Sequence, residues 1–172
     1  MDRIEQIRKA AEEYGKRSVE NMQMAEKLGQ EIIAAFDRYL TLKGGIVIGV
    51  PPSGEWRHDN GDYGAAAYSY FHEPILRVRP IQFGMCVKIW DNLSIRLVVN
   101  LKKEGERIAV FCGPSNEEAL WIPTTYLAAD IDRICERLFQ TLLSYYRGDV
   151  NLFVDGDEKM QTIGFVSRHN KS

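Results

Sequence analysis

Ile81-Gln82-Phe83-Gly84-Met85-Cys86-Val87-Lys88-Ile89-Trp90-Asp91-Asn92-Leu93-Ser94-Ile95-Arg96-Leu97-Val98-Val99-Asn100-Leu101 decides the fold. From Ile81 to Ile89 the odd positions are apolar, and Gln82, Gly84, Cys86 and Lys88 lie between them. Leu93, Ile95, Leu97, Val99 and Leu101 repeat the alternation. A period of two is the mark of a strand with one buried face. A three-residue loop, Trp90-Asp91-Asn92, pairs Ile89 with Leu93, Val87 with Ile95, Met85 with Leu97 and Phe83 with Val99. Both apolar sets then share a face, whereas a slip of one residue turns one strand over.

Working outward, Lys103-Glu104-Gly105-Glu106 reads as the next loop. It leads to a third strand ending at Gly113-Pro114, with Leu101 facing Ile108 and Lys102 meeting Arg107. Upstream, Leu76 and Val78 are apolar in the opposite phase, so a bulge at Arg79-Pro80 is expected on an edge strand. Ile46–Val50, Tyr63–Phe71 and Leu120–Ile122 are further strand candidates. Val150–Val166 reads as a terminal hairpin.

Two long helical stretches flank this sheet. Residues 2–42 are rich in Glu, Ala, Lys, Gln and Met and contain no proline. A heptad frame gives one seam of Ile4, Ala11, Ser18, Ala25, Ile32 and Tyr39, and another of Ile7, Tyr14, Asn21, Leu28 and Ala35. The seam weakens at Ser18 and Asn21. Gly15 marks an expected break into Asp2–Tyr14 and Ser18–Leu42, with one continuous helix of ~60 Å as the alternative. The second helix, 125–147, repeats Leu127, Ile131, Ile134, Leu138 and Leu142 at steps of three and four.

The fold class is therefore α+β. An antiparallel sheet of about five strands carries the long N-terminal helix and the 125–147 helix on one face. The expected organisation is a protruding helical segment at 1–17, a single domain at 18–166 and a polar, frayed tail at 167–172.

The chain has 172 residues, 45% hydrophobic and 27% charged, which suits one packed domain. Its net charge of −2 gives no global signal for nucleic acid. Cys86, Cys112 and Cys135 are spaced too widely for a zinc or redox motif. No metal or cofactor is expected. The charged start, Met-Asp-Arg-Ile-Glu, and the lack of an 18-residue apolar run point away from a membrane and toward a reducing cytoplasm.

No nucleophile elbow, phosphate loop or metalloprotease motif occurs. The leading expectation is a non-catalytic cytoplasmic interaction protein: an adaptor, a chaperone-like protein or an inhibitory factor. Its partner is expected to be a protein, with the N-terminal helix available for a homodimer. Two rival readings rest on named residues. An enzyme or metal site would use His58 and His72 with Asp59 and Asp62 in the 51–73 loop, because imidazole and carboxylate together bind metals or move protons. A nucleotide or nucleic-acid binder would use Lys88, Arg96, Lys102 and Arg107 on a wet face of the sheet. Trp56 and Tyr63, expected to be exposed, suit recognition.

Overall fold

The computed structural model describes residues 2–113, 118–155 and 166–169. Helix α1 spans Arg3–Leu40 and strand β1 spans Val47–Val50. Three short 3-10 turns follow, at His58–Asn60, Gly64–Ala67 and Ser69–His72. Strands β2 (Ile81–Trp90), β3 (Leu93–Glu104), β4 (Arg107–Phe111) and β5 (Leu120–Pro123) come next. Helix α2 covers Ala128–Asp155, and strand β6 covers Val166–His169. The sheet is antiparallel in the order β1-β2-β3-β4-β5. Strand β6 lies against Leu93–Arg96, on the edge of β3 that β4 uses further along. The architecture is α+β, as its alternating apolar pattern implies.

The expected pairings Val87↔Ile95, Met85↔Leu97 and Phe83↔Val99 are all present. Their turn is different. Trp90 pairs with Leu93 across a register shift after Lys88, so the connection is the two residues Asp91-Asn92 and Ile89 is not matched to Leu93. A bulge absorbs the extra residue and keeps both apolar sets on one side. The β3–β4 register also differs. Leu101 meets Val110, Lys102 meets Ala109 and Glu104 meets Arg107. Gly105, at φ 60°, allows a tighter two-residue turn than the four-residue loop expected.

Helix α1 runs unbroken through Gly15. Asp2 caps it by accepting a hydrogen bond from the Glu5 amide at 2.8 Å. Arg17 bridges Glu13 at 2.7 Å and Glu20 at 2.8 Å, which ties the turns around Gly15 together. A single glycine costs about 1 kcal/mol in a helix interior, too little to break one anchored by packing. After Leu40 the Asp37 carboxylate accepts from the amides of Gly45, Ile46 and Val47, which steers the chain into β1.

Three expected strands do not form. Residues 63–71 fold into 3-10 turns instead. Tyr68 and Tyr70 turn toward α1, where the Tyr68 hydroxyl donates to the Glu26 carbonyl at 3.1 Å and the Tyr70 hydroxyl donates to the Glu26 carboxylate. Tyr68 makes one isolated bridge to Phe83 of β2. Residues 74–80 are not a strand with a bulge; they form an irregular strap across α1. The expected terminal hairpin is replaced at its start by α2, which continues through Gly148 to Asp155. Of its expected turn, Asp155-Gly156-Asp157-Glu158, Asp155 is the last residue of α2 and the rest lies outside the described residues. Residues 167–169, expected in the frayed tail, belong to β6, which begins at Val166.

Both helices lie on one face of the sheet. Leu28, Ile32 and Phe36 of α1 and Ile134, Leu138 and Leu142 of α2 bury against the odd residues of β2 and β3. Each such side chain contributes roughly 1.5–3 kcal/mol when taken fully out of water.

Two glycines test this packing with opposite signs. A Cβ on Gly84 would lie 2.3 Å from the Val50 carbonyl oxygen, whereas one on Gly15 would meet nothing within 4 Å. Gly84→Ala should therefore cost at least ~2 kcal/mol by overpacking. Gly15→Ala should gain about 0.5–1 kcal/mol by helix propensity. Urea unfolding of both variants checks the pair.

Candidate interaction surface

The 51–63 segment folds over the second face of the sheet. Ile48 and Val50 of β1 point to this face, across from Cys86 and Gly84. Because Gly84 has no side chain, the chain after Val50 can fold back closely on β2. Trp56 is the centre of the cover. It is only 4% exposed and packs with Val50 and Cys86, with Ile48 and Tyr63 beside them.

Two expectations are corrected here. Trp56 is not exposed, and Arg96 does not lie on a wet basic face. Arg96 is 9% exposed and donates to the carbonyls of Pro51 at 3.2 Å and Gly54 at 2.8 Å. Its guanidinium also lies 6.0 Å from the Trp56 ring centroid. A buried guanidinium needs acceptors, and the loop carbonyls supply them.

The remaining basic residues of this face do not gather into one surface. Lys88 is half-buried beside Asp91, 2.9 Å away at the hairpin end. Arg107 is exposed on the far half of the sheet, 3.9 Å above the Trp121 ring and 3.9 Å from Glu104. Lys102 lies 2.6 Å from the same Glu104.

The histidine and carboxylate candidates of the loop are separated in role. Asp62 is a latch: its carboxylate accepts from the amides of Gly49 at 2.8 Å and Gly64 at 2.7 Å. Tyr63 is half-buried, and its hydroxyl accepts from the Arg57 amide at 3.1 Å. His58 is half-buried in its 3-10 turn, and Asp59 is exposed beside it. His72 is exposed and meets Phe71 edge-on, with ring centroids 5.1 Å apart. Among the described residues, no group of three or more His, Cys, Asp and Glu side chains is placed to hold a metal ion.

A different surface emerges at the start of α1. Residues 2–17 contain no buried side chain, and the first buried residue of the helix is Ser18. Ile4, Ile7 and Tyr14 are 49%, 62% and 47% exposed. The buried residues Ser18, Asn21, Ala25, Leu28 and Ile32 occupy the same heptad seam. One stripe thus packs on the domain in its later turns and continues bare for about 22 Å at 1.5 Å per residue.

The strap at 74–80 covers the junction. The Asn21 amide donates to the Arg79 carbonyl at 2.7 Å and to the Arg77 carbonyl at 3.4 Å. The Val78 amide donates to the Tyr14 hydroxyl at 3.2 Å. Between α1, the strap and β3 lies a cleft of about 340 Å³. Met24, Val78 and Pro80 line it with apolar surface; Arg17, Arg79, Lys102 and Lys103 add cations, and Glu20 adds one carboxylate. Sequence reasoning found the bare stripe but not the cleft. The cleft joins residues near 20, 80 and 102, which no local pattern connects.

The class that fold and surface define is an α+β domain with an exposed, amphipathic helical extension. Compared with family models, curated proteins and solved structures, the chain matches none.

Two variants probe the covered face. Arg96→Ala removes the donor to two loop carbonyls and should cost about 2 kcal/mol in denaturant unfolding, the usual worth of hydrogen bonds from a charged group. A loss near zero would mean that the loop holds without the guanidinium. Burial also pushes the Cys86 thiol from 9.0 up to about 12. Its raised folded-state pKa gives stability that is complete below pH 9 and is lost as pH rises through about 12. Cys86→Ala should therefore flatten the alkaline decline in thermal stability between those values.

Proposed function

We propose that this protein is a non-catalytic interaction protein, an adaptor, chaperone-like protein or inhibitory factor, that engages another protein through the first four turns of α1. The observation that carries this reading is the continuous seam: the stripe that holds α1 on the sheet extends past Tyr14, where the strap touches its hydroxyl, to exposed Ile7 and Ile4. A helix of about fifteen residues is marginal alone in water. Here its later turns are anchored in the core, so the extension is presented already folded. A partner then meets a surface whose ordering cost is largely met.

The rival readings have less support. Asp62 accepts from the Gly49 and Gly64 amides, and the basic residues of the sheet are split between buried Arg96 and an exposed edge. A reducing cytoplasmic setting accords with three buried cysteines, none of them in a disulfide. No helix among the described residues is long and apolar enough to cross a membrane. A second copy of the chain is the other occupant that the seam admits.

A photo-crosslinking amino acid in place of Ile7, on the seam, or of Lys9, on the outer side, tests this in the protein's own host. The Ile7 position should give a discrete protein adduct and the Lys9 position little or none. An adduct at twice the chain mass would identify a homodimer. No adduct from Ile7 would sink the reading.

A further inference from the structure

The charges beside the seam say what should lie on it. With Ile4 and Ala11 at one seam position and Ile7 and Tyr14 at the other, the flanking positions hold Arg3, Arg8, Ala10, Gly15 and Arg17. None is acidic. The carboxylates of this segment, Glu5, Glu12 and Glu13, fall on the outer side. In a two-helix seam the flanking residues of each helix meet those of the other and set partner choice. Two copies of this segment would bring Arg3 toward Arg8 if parallel, and Arg8 toward Arg8 if antiparallel. Like charges so placed repel, which disfavours a second copy.

The cleft at the inner end of the extension carries the same sign. Arg17, Arg79, Lys102 and Lys103 stand around its apolar floor against Glu20. Some of these charges have neighbours. Arg17 pairs with Glu13 and Glu20, Lys102 with Glu104, and the Lys103 ammonium donates to the Gly105 carbonyl at 2.7 Å. These contacts are exposed, and such pairs contribute little to stability. They can be exchanged for a partner's carboxylates at small cost.

We infer that the occupant of the seam is an acidic amphipathic helix of another protein, whose apolar stripe lies on Ile4, Ile7, Ala11 and Tyr14 and whose acidic end enters the cleft between Arg17, Arg79, Lys102 and Lys103. This rests on the interaction reading above and adds the partner's chemistry. Apolar contact supplies affinity, and the flanking arginines select the sign of the partner.

The test uses the full chain and two fluorescein-labelled synthetic peptides of three heptads. Both have leucine at the seam positions; one has glutamate and the other lysine at every flanking position. In fluorescence anisotropy the glutamate peptide should bind at least about tenfold more tightly than the lysine peptide, the sum of a few exposed charge pairs. The gap should narrow in 0.5 M salt, a concentration chosen because screening at roughly that strength removes exposed-charge attraction. Arg3→Glu/Arg8→Glu, checked for unchanged helicity and melting, should reverse the preference. Arg79→Ala, remote from the seam flanks, should weaken only the glutamate peptide. Equal binding of both peptides, or binding of neither, overturns the inference. If neither binds while Ile7 still crosslinks another protein, the interaction reading survives and the acidic partner does not. A crosslink at twice the chain mass puts a second copy on the seam and also overturns the inference.

Discussion

Val87 against Ile95, Met85 against Leu97 and Phe83 against Val99 set the parity on which everything else depends. With those pairs aligned, one face of β2 and β3 is a continuous apolar surface, and α1 and α2 have somewhere to bury their stripes. The same parity sends Gly84, Cys86, Arg96 and Val98 to the opposite face. A shift of one residue in either strand would exchange these sets. It would place a guanidinium under the helices and branched aliphatics under the loop. The bulge after Lys88 is the local device that reconciles this parity with a two-residue turn.

The opposite face then poses a second problem. A mixed surface of Cys86, Gly84 and Arg96 is too small for a helix and too apolar to leave wholly wet. The chain solves it with its own loop. Trp56 fills the space beside Val50 and Cys86, and the loop carbonyls of Pro51 and Gly54 accept from Arg96. Asp62 ties the far end of the loop back to the Gly49 amide. Asp62, one of the residues that looked most like a site in sequence, is a fastening of this cover. A carboxylate that accepts from two amides at opposite ends of a segment is well suited to hold that segment in place.

What was legible in the sequence follows from the range of each signal. The β2–β3 pairing was legible because alternation over nine or ten residues admits only one parity. The β3–β4 register was misread by two residues because a slip of two preserves that parity. Only the turn chemistry at Gly105 separates the two registers. Tyr68 and Tyr70 read as one face of a strand, yet their partner is Glu26, more than forty positions away. Arg96 read as exposed for the same reason, since its acceptors lie 45 and 42 residues earlier. Gly148 read as a helix stop, but α2 is already held by Leu138 and Leu142 when it reaches that point. Propagating an existing helix past one glycine is far easier than starting a new one. The bare seam of α1 was legible because it is a local period. The cleft at its base was not, because it is assembled from three distant stretches.

The seam and its anchor belong to one design of α1. The strap at 74–80 spends its carbonyls on Asn21 and one amide on Tyr14, while the Ser18 hydroxyl donates to the Tyr14 carbonyl within α1, so both polar seam residues are buried without loss. Were Ser18 and Asn21 leucines, the packed and bare halves of the stripe would be one uninterrupted apolar surface, free to slide in register on the sheet. Asn21, matched to two strap carbonyls, fixes where the domain ends on the helix, much as a buried polar residue fixes register in a coiled coil. It thereby holds Ile4, Ile7 and Tyr14 outside the core, on a helix whose orientation the core dictates. The exposed stripe is therefore a placed surface: its position depends on Asn21, its helicity on the packed turns that follow, and its flanking charge on Arg3, Arg8 and Arg17.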